Sequence, residues 1–444
     1  MAVEIRPVTR DEAPAYLRVL PYVNGLPHWE PAPAAWHGGP EAWPPPNRPA
    51  TPEQVARWVE EVVTAGHFHP QAAFDGGKVV GGSAMLSLAI TVPGLREVPF
   101  GGVTATAVIA THRRLGLLRG MMQAMFDEAL DRGEPLAALS ASEGGIYGRY
   151  GFAPATRRTR WDLDRAEAAF ADADPPAGSL ELVDAATARQ AWPRVHDDVR
   201  RRQVGEPRPA PGKWNGLSDD ATGPDGPTRY LIHRSPQGDV DGVANFRLPW
   251  TPLAEHTGTL VVDALQAASA DAYRAMWMLL TDFDLTRRVT APTRPADEPL
   301  RWMLRNPRAL RVTRQSDNLW LRVLDLPAAL TARSYDATAD LTIAVDADPM
   351  CPRNTGTWRL SATPDGATCT PTRTRPDLTL TLQALGSLYL GGMSAALLAA
   401  AGHIRPHHDA AVPALGRLFR TDPEPFNSFA FCPRPPGCPR LTAG

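Results

Sequence analysis

The fold is decided by residues 101–141, which read GGVTATAVIATHRRLGLLRGMMQAMFDEALDRGEPLAALSA. Residues 101–110 are small, apolar or β-branched almost throughout, as expected of a strand that is buried on both faces. Over residues 117–130 apolar side chains recur at three- and four-residue spacing with charged side chains between them, which predicts an amphipathic helix. The helix ends at Gly133, before a second predicted strand over residues 136–141. The segment therefore predicts a strand, turn, helix and strand unit with parallel strands.

The turn between the first strand and the helix reads RRLGLL over residues 113–118. A helix N-terminus presents N–H groups without intrahelical partners and the positive end of the helix dipole, so it attracts anions. Gly116 permits a close backbone approach, and Arg113, Arg114 and Arg119 add positive charge suited to a pyrophosphate or a 3′-phosphate. The turn predicts a phosphate-binding site, with the alternative that it is an ordinary strand-to-helix turn.

Length and composition limit the class of protein. A chain of 444 residues exceeds one compact core, so three domains are expected. A net charge of −2 gives no electrostatic case for nucleic acid. The first 16 residues lack the apolar segment of a secretory signal, which predicts a cytoplasmic protein. The uncharged stretch 385–401 contains several glycines and serines, and this composition predicts one buried helix rather than a membrane span.

Cysteine spacing predicts free thiols and no metal site, because Cys351, Cys369, Cys432 and Cys438 fit no common zinc pattern. Residues 78–90 predict a strand with a bulge or bend at Gly81 and Gly82. A proline-rich loop is predicted over residues 27–52 and a helix over residues 54–65. Further strands are predicted at 230–233, 243–248, 258–264, 340–345, 357–362 and 377–382, and further helices at 272–280 and 409–418.

The string at 113–118 resembles the acyl-CoA motif of GNAT N-acetyltransferases, R/Q-x-x-G-x-G/A, with Leu118 in place of the final small residue. Residues 111–156 are similar in particular to the enhanced intracellular survival (Eis) family, in which a leucine at that place is usual. The similarity extends to residues 319–330, 385–392 and 420–431. It therefore covers nearly the whole chain.

The resemblance implies an α/β (α+β) fold of tandem GNAT domains followed by a sterol-carrier-protein-like C-terminal domain, assembled as a homo-hexamer. The implied domains are an acetyl-CoA-binding GNAT domain over 1–155, a GNAT-like domain without the cofactor motif over 156–325, and the sterol-carrier-like domain over 326–431. Residues 432–444 lack hydrophobic periodicity, so an unstructured tail is expected.

The resemblance also assigns residues to acetyl-CoA. They are Thr106, Ala107 and Val108 along the pantetheine arm, Arg113, Arg114, Leu115, Gly116, Leu117, Leu118 and Arg119 around the pyrophosphate, and Ser142 and Glu143 where the next strand diverges. Tyr147 corresponds to the general acid that protonates the CoA sulfur. A tyrosine at this place could equally serve as a packing group.

The general base of the family is the carboxylate of a terminal phenylalanine, which corresponds to Phe431. This chain continues to Gly444. The carboxylate of Gly444, removal of the tail, another group such as Glu143, or weak catalysis all remain open.

The resulting hypothesis is an acetyl-CoA-dependent N-acetyltransferase that acts on primary amines, with aminoglycosides as the substrates implied by the family. The competing hypothesis is a non-catalytic acyl-CoA-binding or lipid-carrier module, favoured by the extended C-terminus and the sterol-carrier-like region.

Overall fold

A computed structural model describes residues 3–24, 53, 56, 59–60, 66–217, 227–249, 258–429 and 431. The predicted loop at 27–52 and the tail at 432–444, including Gly444, Cys432 and Cys438, lie outside these residues, as does most of the predicted helix at 54–65. Strands and helices are numbered along the described chain, which forms three β-sheets.

The first sheet contains the strand, turn, helix and strand unit that the sequence predicts. Its strands are β1 Glu4–Pro7, β2 Phe68–Asp75, β3 Lys78–Val92, β4 Arg96–Val108, β5 Leu136–Leu139, β6 Ala153–Pro154, β9 Pro207–Arg208 and β15 Trp320–Val323. Its helices are α1 Ala13–Asn24, α2 Leu117–Asp131 and α3 Gly144–Tyr147. The order is β1-β2-β3-β4-β5-β15-β6, with β9 beside β3. Strands β4 and β5 are parallel, as predicted.

Strand β15 joins distant parts of the chain. It lies in the range predicted for the second domain, yet it pairs antiparallel with both β5 and β6 of the first sheet. The chain therefore returns to the first sheet immediately before it enters the third.

The second sheet repeats the same unit, with a helix between two parallel strands. Its strands are β7 Arg157–Asp164, β8 Ser179–Val183, β10 Thr228–Arg234, β11 Val240–Arg247, β12 Gly258–Ala267, β13 Thr286–Arg294 and β14 Leu310–Asp317. Its helices are α4 Ala185–Arg200, α5 Ala270–Thr281 and α6 Leu300–Met303. The order is β14-β7-β13-β12-β11-β10-β8. The repeated unit is β12, α5 and β13.

The third sheet has five strands in the order β18-β17-β16-β19-β20, and its elements have the following bounds. The strands are β16 Ala339–Val345, β17 Gly356–Thr363, β18 Gly366–Pro371, β19 Leu378–Leu380 and β20 Ile404–Pro406. The helices are α7 Leu326–Ala332, α8 Leu382–Tyr389, α9 Ala395–Ala400 and α10 Ala411–Phe419.

The prediction of one helix over 385–401 is wrong, because α8 and α9 are separate helices. Gly391 has φ of 89°, and a Cβ there would overlap the Thr421 side chain, so the chain leaves the helical conformation at this glycine. The Ser394 hydroxyl then accepts a hydrogen bond from the N–H of Leu397 and starts the next helix. Across the described ranges, no helix has the length and apolar character needed to cross a membrane.

Candidate active site

Strands β4 and β5 separate part-way along their length. Their pairing runs from Phe100 opposite Leu136 to Gly102 opposite Ala138 and ends there. The pairing of β4 with β3 on its other edge continues to Val108. Beyond Gly102 the edge of β4 that faced β5 therefore has no strand neighbour among the described residues, and its main chain can pair with an extended ligand.

A β-bulge bends β4 at this opening. The register between β3 and β4 shifts, so that Ala105 and Thr106 together face Ser83. Ala105 has φ of 51°, and the hydroxyls of Ser83 and Thr106 are 2.7 Å apart. The sequence predicted an irregularity at the glycines of β3. The prediction is confirmed, because β3 has an extra residue, Val80, next to Gly81 in its pairing with β2, and the bulge on β4 lies beside Gly82.

The N-terminus of α2 is uncapped. Gly116 occupies the N-cap position with φ of 77°, and no side chain accepts a hydrogen bond there. A Cβ on Gly116 would meet no atom within 4 Å, so the space around it is open. The first turn carries no acidic residue, and Arg113, Arg114 and Arg119 are exposed around it. Unpaired N–H groups, open space and positive charge therefore coincide, which suits a pyrophosphate.

The corresponding helix of the second sheet, α5, is closed to anions. The Ser269 hydroxyl caps it by accepting from the N–H of Ala272, and Asp271 lies in its first turn. The same hydroxyl donates to Asp241 at 2.6 Å, which adds negative charge beside the helix end. These carboxylates oppose a phosphate.

Tyr147 lies at the end of α3, and its hydroxyl is near the Ser142 and Thr106 side chains. The ring is 8% exposed and meets Phe152 edge-on at 6.4 Å between centroids. Burial raises the pKa of the phenol above its ordinary value, and the polar interactions with Ser142 and Thr106 oppose this shift. Tyr147 is thus a packing residue and, at neutral pH, a protonated phenol at the opening. Glu143 is exposed at the N-cap position of α3.

Phe431 lies at the point where β4 and β5 separate. Its ring meets Phe100 edge-on at 5.6 Å between centroids. A Cβ on Gly102 would lie 2.8 Å from the Phe431 ring, so the glycine provides the space for it. Phe431 thus contacts β4 at Gly102, and Tyr147 lies beside Thr106, four residues further along β4 and beyond the bulge.

The segment before Phe431 is held by a buried carboxyl that the sequence analysis missed. Glu206 accepts hydrogen bonds from the Ser428 N–H and the Ser428 hydroxyl, both at 2.8 Å. Gln266 donates to the same hydroxyl at 3.0 Å. Burial raises the pKa of Glu206 to about 8. Glu206 stands between Gly205 and Pro207 with no recognisable motif, so no local signal could have identified it.

Three further side chains hold this segment. Thr156 donates to the Asn427 side chain at 2.7 Å, and Asn318 donates to the same oxygen at 2.8 Å. Arg157 makes a bidentate ion pair with Glu424, with N–O distances of 2.8 and 2.7 Å. Residues 424–428 are therefore held by side chains from the first and second sheets and their connections.

The raised pKa of Glu206 predicts a dependence of stability on pH. A carboxyl whose folded pKa lies above its unfolded pKa stabilises the fold fully below the unfolded value, and this contribution is lost as the pH rises through the folded value. The free energy of unfolding should therefore fall from about pH 4.5 to about pH 8, by on the order of 5 kcal/mol from this group. Glu206→Gln keeps a neutral side chain of the same shape and should flatten that decline in denaturant titrations. An equally steep decline in the variant would contradict the assignment.

The described residues contain no group of three or more histidine, cysteine, aspartate or glutamate side chains placed to hold a metal ion. Strands β4 and β5 are parallel and separate part-way along their length, and the helix between them has an uncapped N-terminus. These features define the class of protein as an acyl-CoA-dependent transferase of the GNAT type.

Comparisons with known proteins agree with this class. The profile of the Acetyltransferase (GNAT) domain matches residues 4–155, and a second Acetyltransferase (GNAT) domain profile matches residues 208–323. The Sterol carrier protein domain matches residues 326–428. A GCN5-related N-acetyltransferase from Anabaena variabilis shares the fold, with a TM-score of 0.77 at 17% identity over 96% of this chain and 99% of that one.

Closer relatives narrow the family. The N-acetyltransferase Eis of Mycobacterium tuberculosis is 34% identical over 390 residues, which cover 86% of this chain and 93% of the relative. An uncharacterized N-acetyltransferase of Streptomyces avermitilis is 35% identical over 366 residues, 80% of this chain and 86% of the relative. The crystal structure of Eis1 from Mycobacterium abscessus has a TM-score of 0.81 at 30% identity and covers 96% of this chain and 100% of that one. The chain belongs to the Eis family of GNAT N-acetyltransferases.

Proposed function

We propose that this acetyltransferase moves the acetyl group of acetyl-CoA to a primary amine, with aminoglycosides as the substrate class. The observation that carries the proposal is that Phe431 contacts β4 at Gly102, where β4 and β5 diverge, and that Tyr147 lies further along the same opening, beside Thr106. A thioester bound between them would have a proton donor and the C-terminal segment within reach. A homo-oligomer, a hexamer by family resemblance, and a cytoplasmic location stay predictions.

The proposed cosubstrate site extends from the opening to α2. The main chain of Thr106, Ala107 and Val108 would pair with the pantetheine arm along the free edge of β4. The N–H groups at Gly116 and the residues around it, 113–119, would bind the pyrophosphate. Ser142 and Glu143 would contact the cosubstrate on the side of β5.

The proposed reaction is direct transfer. The neutral amine attacks the thioester carbonyl carbon and forms a tetrahedral intermediate. The carbon–sulfur bond then breaks, and Tyr147 donates its phenolic proton to the leaving thiolate. A base accepts the proton that the amine nitrogen loses, because a protonated amine has no lone pair for attack.

We propose that the base is a C-terminal carboxylate at Phe431. The ring of Phe431 is anchored at Gly102, so a carboxylate on this residue would lie at the opening. In the 444-residue chain the carbonyl of Phe431 belongs to a peptide bond with Cys432, and the free carboxylate is on Gly444. The exposed Glu143, next to α3, is the alternative base within the described residues.

The interior of the third domain argues against a lipid-carrier function. Arg333 is 1% exposed, and its guanidinium lies 4.6 Å from the ring centroid of Tyr335 and 4.7 Å from that of Phe419. It donates to the backbone oxygens of Tyr389 and Phe419. A buried cation and packed aromatic rings thus occupy the space between α8, α10 and the sheet, where an acyl chain would need an apolar channel.

The cosubstrate site is tested with two glycine variants on the same helix. Gly116→Asp places a carboxylate where the pyrophosphate should bind, so we expect the KM for acetyl-CoA to rise by about tenfold or more. Gly133→Asp is the matched control, because Gly133 also has positive φ and no atom within 4 Å of a Cβ, but it follows the other end of α2. Both variants carry the same strain, about 1 kcal/mol. Equal KM values in a CoA-thiol release assay would contradict the proposed site.

A further inference from the structure

The turn that carries Tyr147 rests on a buried guanidinium. Gly151 has φ of 81°, and a Cβ there would overlap Nη1 of Arg322, so the guanidinium lies directly against the turn. The same group lies 5.1 Å from the ring centroid of Phe126, which packs on Phe152 at 5.9 Å. Phe152 in turn meets Tyr147 edge-on. The guanidinium therefore supports the phenol through the backbone and through two aromatic rings.

The backbone of this turn transmits a displacement of Gly151 to Tyr147. The N–H of Gly151 donates to the oxygen of Gly148 at 3.1 Å, and the N–H of Phe152 donates to the oxygen of Tyr147 at 3.3 Å. The side chain of Gln383, on α8, donates to the Gly148 oxygen at 2.7 Å. These three hydrogen bonds hold the turn together, so a displacement of Gly151 is passed on to Tyr147.

Arg322 is itself anchored by Asp348. Nη2 and Oδ1 are 2.7 Å apart, and the two side chains are 1% and 0% exposed. The N–H groups of Met350 and Cys351 donate to Oδ1 at 3.2 and 3.0 Å. The Asn354 side chain donates to Oδ2 at 3.1 Å. The loop after β16 of the third sheet thus fixes the carboxylate, and the carboxylate fixes the guanidinium.

A contribution to the stability of the fold does not by itself explain why Arg322 and Asp348 form a buried ion pair. Removing both charges from water offsets their attraction, and replacing both partners of a buried pair by apolar side chains is often neutral. Positioning of Tyr147 explains the ion pair better, because a displacement of about 1 Å at a reacting group can lower a rate by on the order of 10²-fold. We propose that Arg322, held by Asp348, is a positioning residue that sets the Tyr147 hydroxyl beside Thr106. The inference rests on the proposed function, in which Tyr147 donates the proton.

The test replaces both charges in the full chain, as Arg322→Met with Asp348→Leu. We expect a folded enzyme whose kcat is lower by roughly 10- to 100-fold. The KM for acetyl-CoA should not change, because the contact that α2 loses is at Phe126, ten residues along the helix from the proposed pyrophosphate site at Gly116. The ring ¹³Cζ resonance of Tyr147, identified by its loss in Tyr147→Phe, should move and titrate at a different pH. Arg294→Met with Glu298→Leu is the matched control, since that pair is also buried, at 2.6 Å, but belongs to the second sheet. It should leave kcat and the resonance unchanged.

Arg322→Lys is the second variant in case the double replacement does not fold, because it keeps the charge opposite Asp348. A lysine lacks the planar fork of arginine, so a smaller loss of kcat and a smaller shift of the resonance are expected. Unchanged kcat and an unchanged Tyr147 resonance in a folded variant would overturn the proposal. Full turnover in Tyr147→Phe would instead refute the proton donor, and the resonance would still decide whether Arg322 positions the ring.

Discussion

Replacing Tyr147 with phenylalanine is expected to lower kcat by roughly 10²- to 10⁴-fold, the usual contribution of a general acid. The expectation follows from the position of the hydroxyl, which is near the Thr106 and Ser142 side chains at the opening between β4 and β5. Because burial raises the pKa of the phenol, the proton is present at neutral pH and available to the leaving thiolate. Phenylalanine keeps the ring and its contact with Phe152, so the fold should be preserved.

Tyr150→Phe is the matched control. Tyr150 is half-buried three residues further along the chain, and burial raises the pKa of its phenol as well. Among the described residues, the Tyr150 hydroxyl makes no polar contact with Thr106. Its replacement should therefore leave kcat close to that of the unaltered enzyme. The assay is release of the CoA thiol from acetyl-CoA with an aminoglycoside as the amine. Equal rates for Tyr147→Phe and the unaltered chain would show that the proton comes from elsewhere.

Local patterns in the sequence predicted the elements of the proposed cosubstrate site. The apolar run of β4, the uncapped turn at Gly116 and the helical spacing of α2 each depend on residues close in the chain. Such features are encoded by periodicity and turn chemistry, which the residues themselves reveal. The break between α8 and α9 was missed because the Thr421 side chain that crowds Gly391 lies 30 residues away.

Contacts between distant residues could not be predicted in this way. Glu206 and Ser428 are 222 residues apart in the chain, and Arg322 joins Asp348 across the connection to the third sheet. The pairing of β15 with β5 likewise joins residues that lie far apart in the sequence. Such contacts leave no periodic pattern in the sequence, because each is determined by tertiary packing. Resemblance to the Eis family pointed to Phe431, and the contacts that hold it became visible only in the structure.

The chain that ends at Phe431 is expected to be the more active form. Its terminal carboxylate would lie where the Phe431 ring is anchored on Gly102, opposite Tyr147, and could accept the proton of the attacking amine. Residues 424–428 are bound through Glu424, Asn427 and Ser428, and the Phe431 ring packs on Phe100, so removal of residues 432–444 should leave them in place. A positioned base contributes roughly 10²- to 10⁴-fold. We therefore expect the shortened chain to exceed the full chain by at least about tenfold, even if Glu143 or Gly444 serves partly as base in the latter.

Gly102→Ala in the shortened chain provides the check on geometry. The added methyl group would lie within 3 Å of the Phe431 ring and displace it, so the gain in rate should be lost. Gly366→Ala, on β18 of the third sheet, is the control, because its methyl group would meet no atom within 4 Å. Thermal unfolding of both variants shows whether a lower rate comes from displacement of Phe431 or from loss of the folded structure.

The most direct test is the rate of CoA release from acetyl-CoA and an aminoglycoside, measured side by side for the 444-residue chain and for the chain that ends at Phe431. A faster rate in the shortened chain, abolished by Tyr147→Phe, is the predicted result. Equal rates in the two chains, or no release from either with any amine, would contradict the assignment of the terminal carboxylate and, in the second case, the proposed reaction itself.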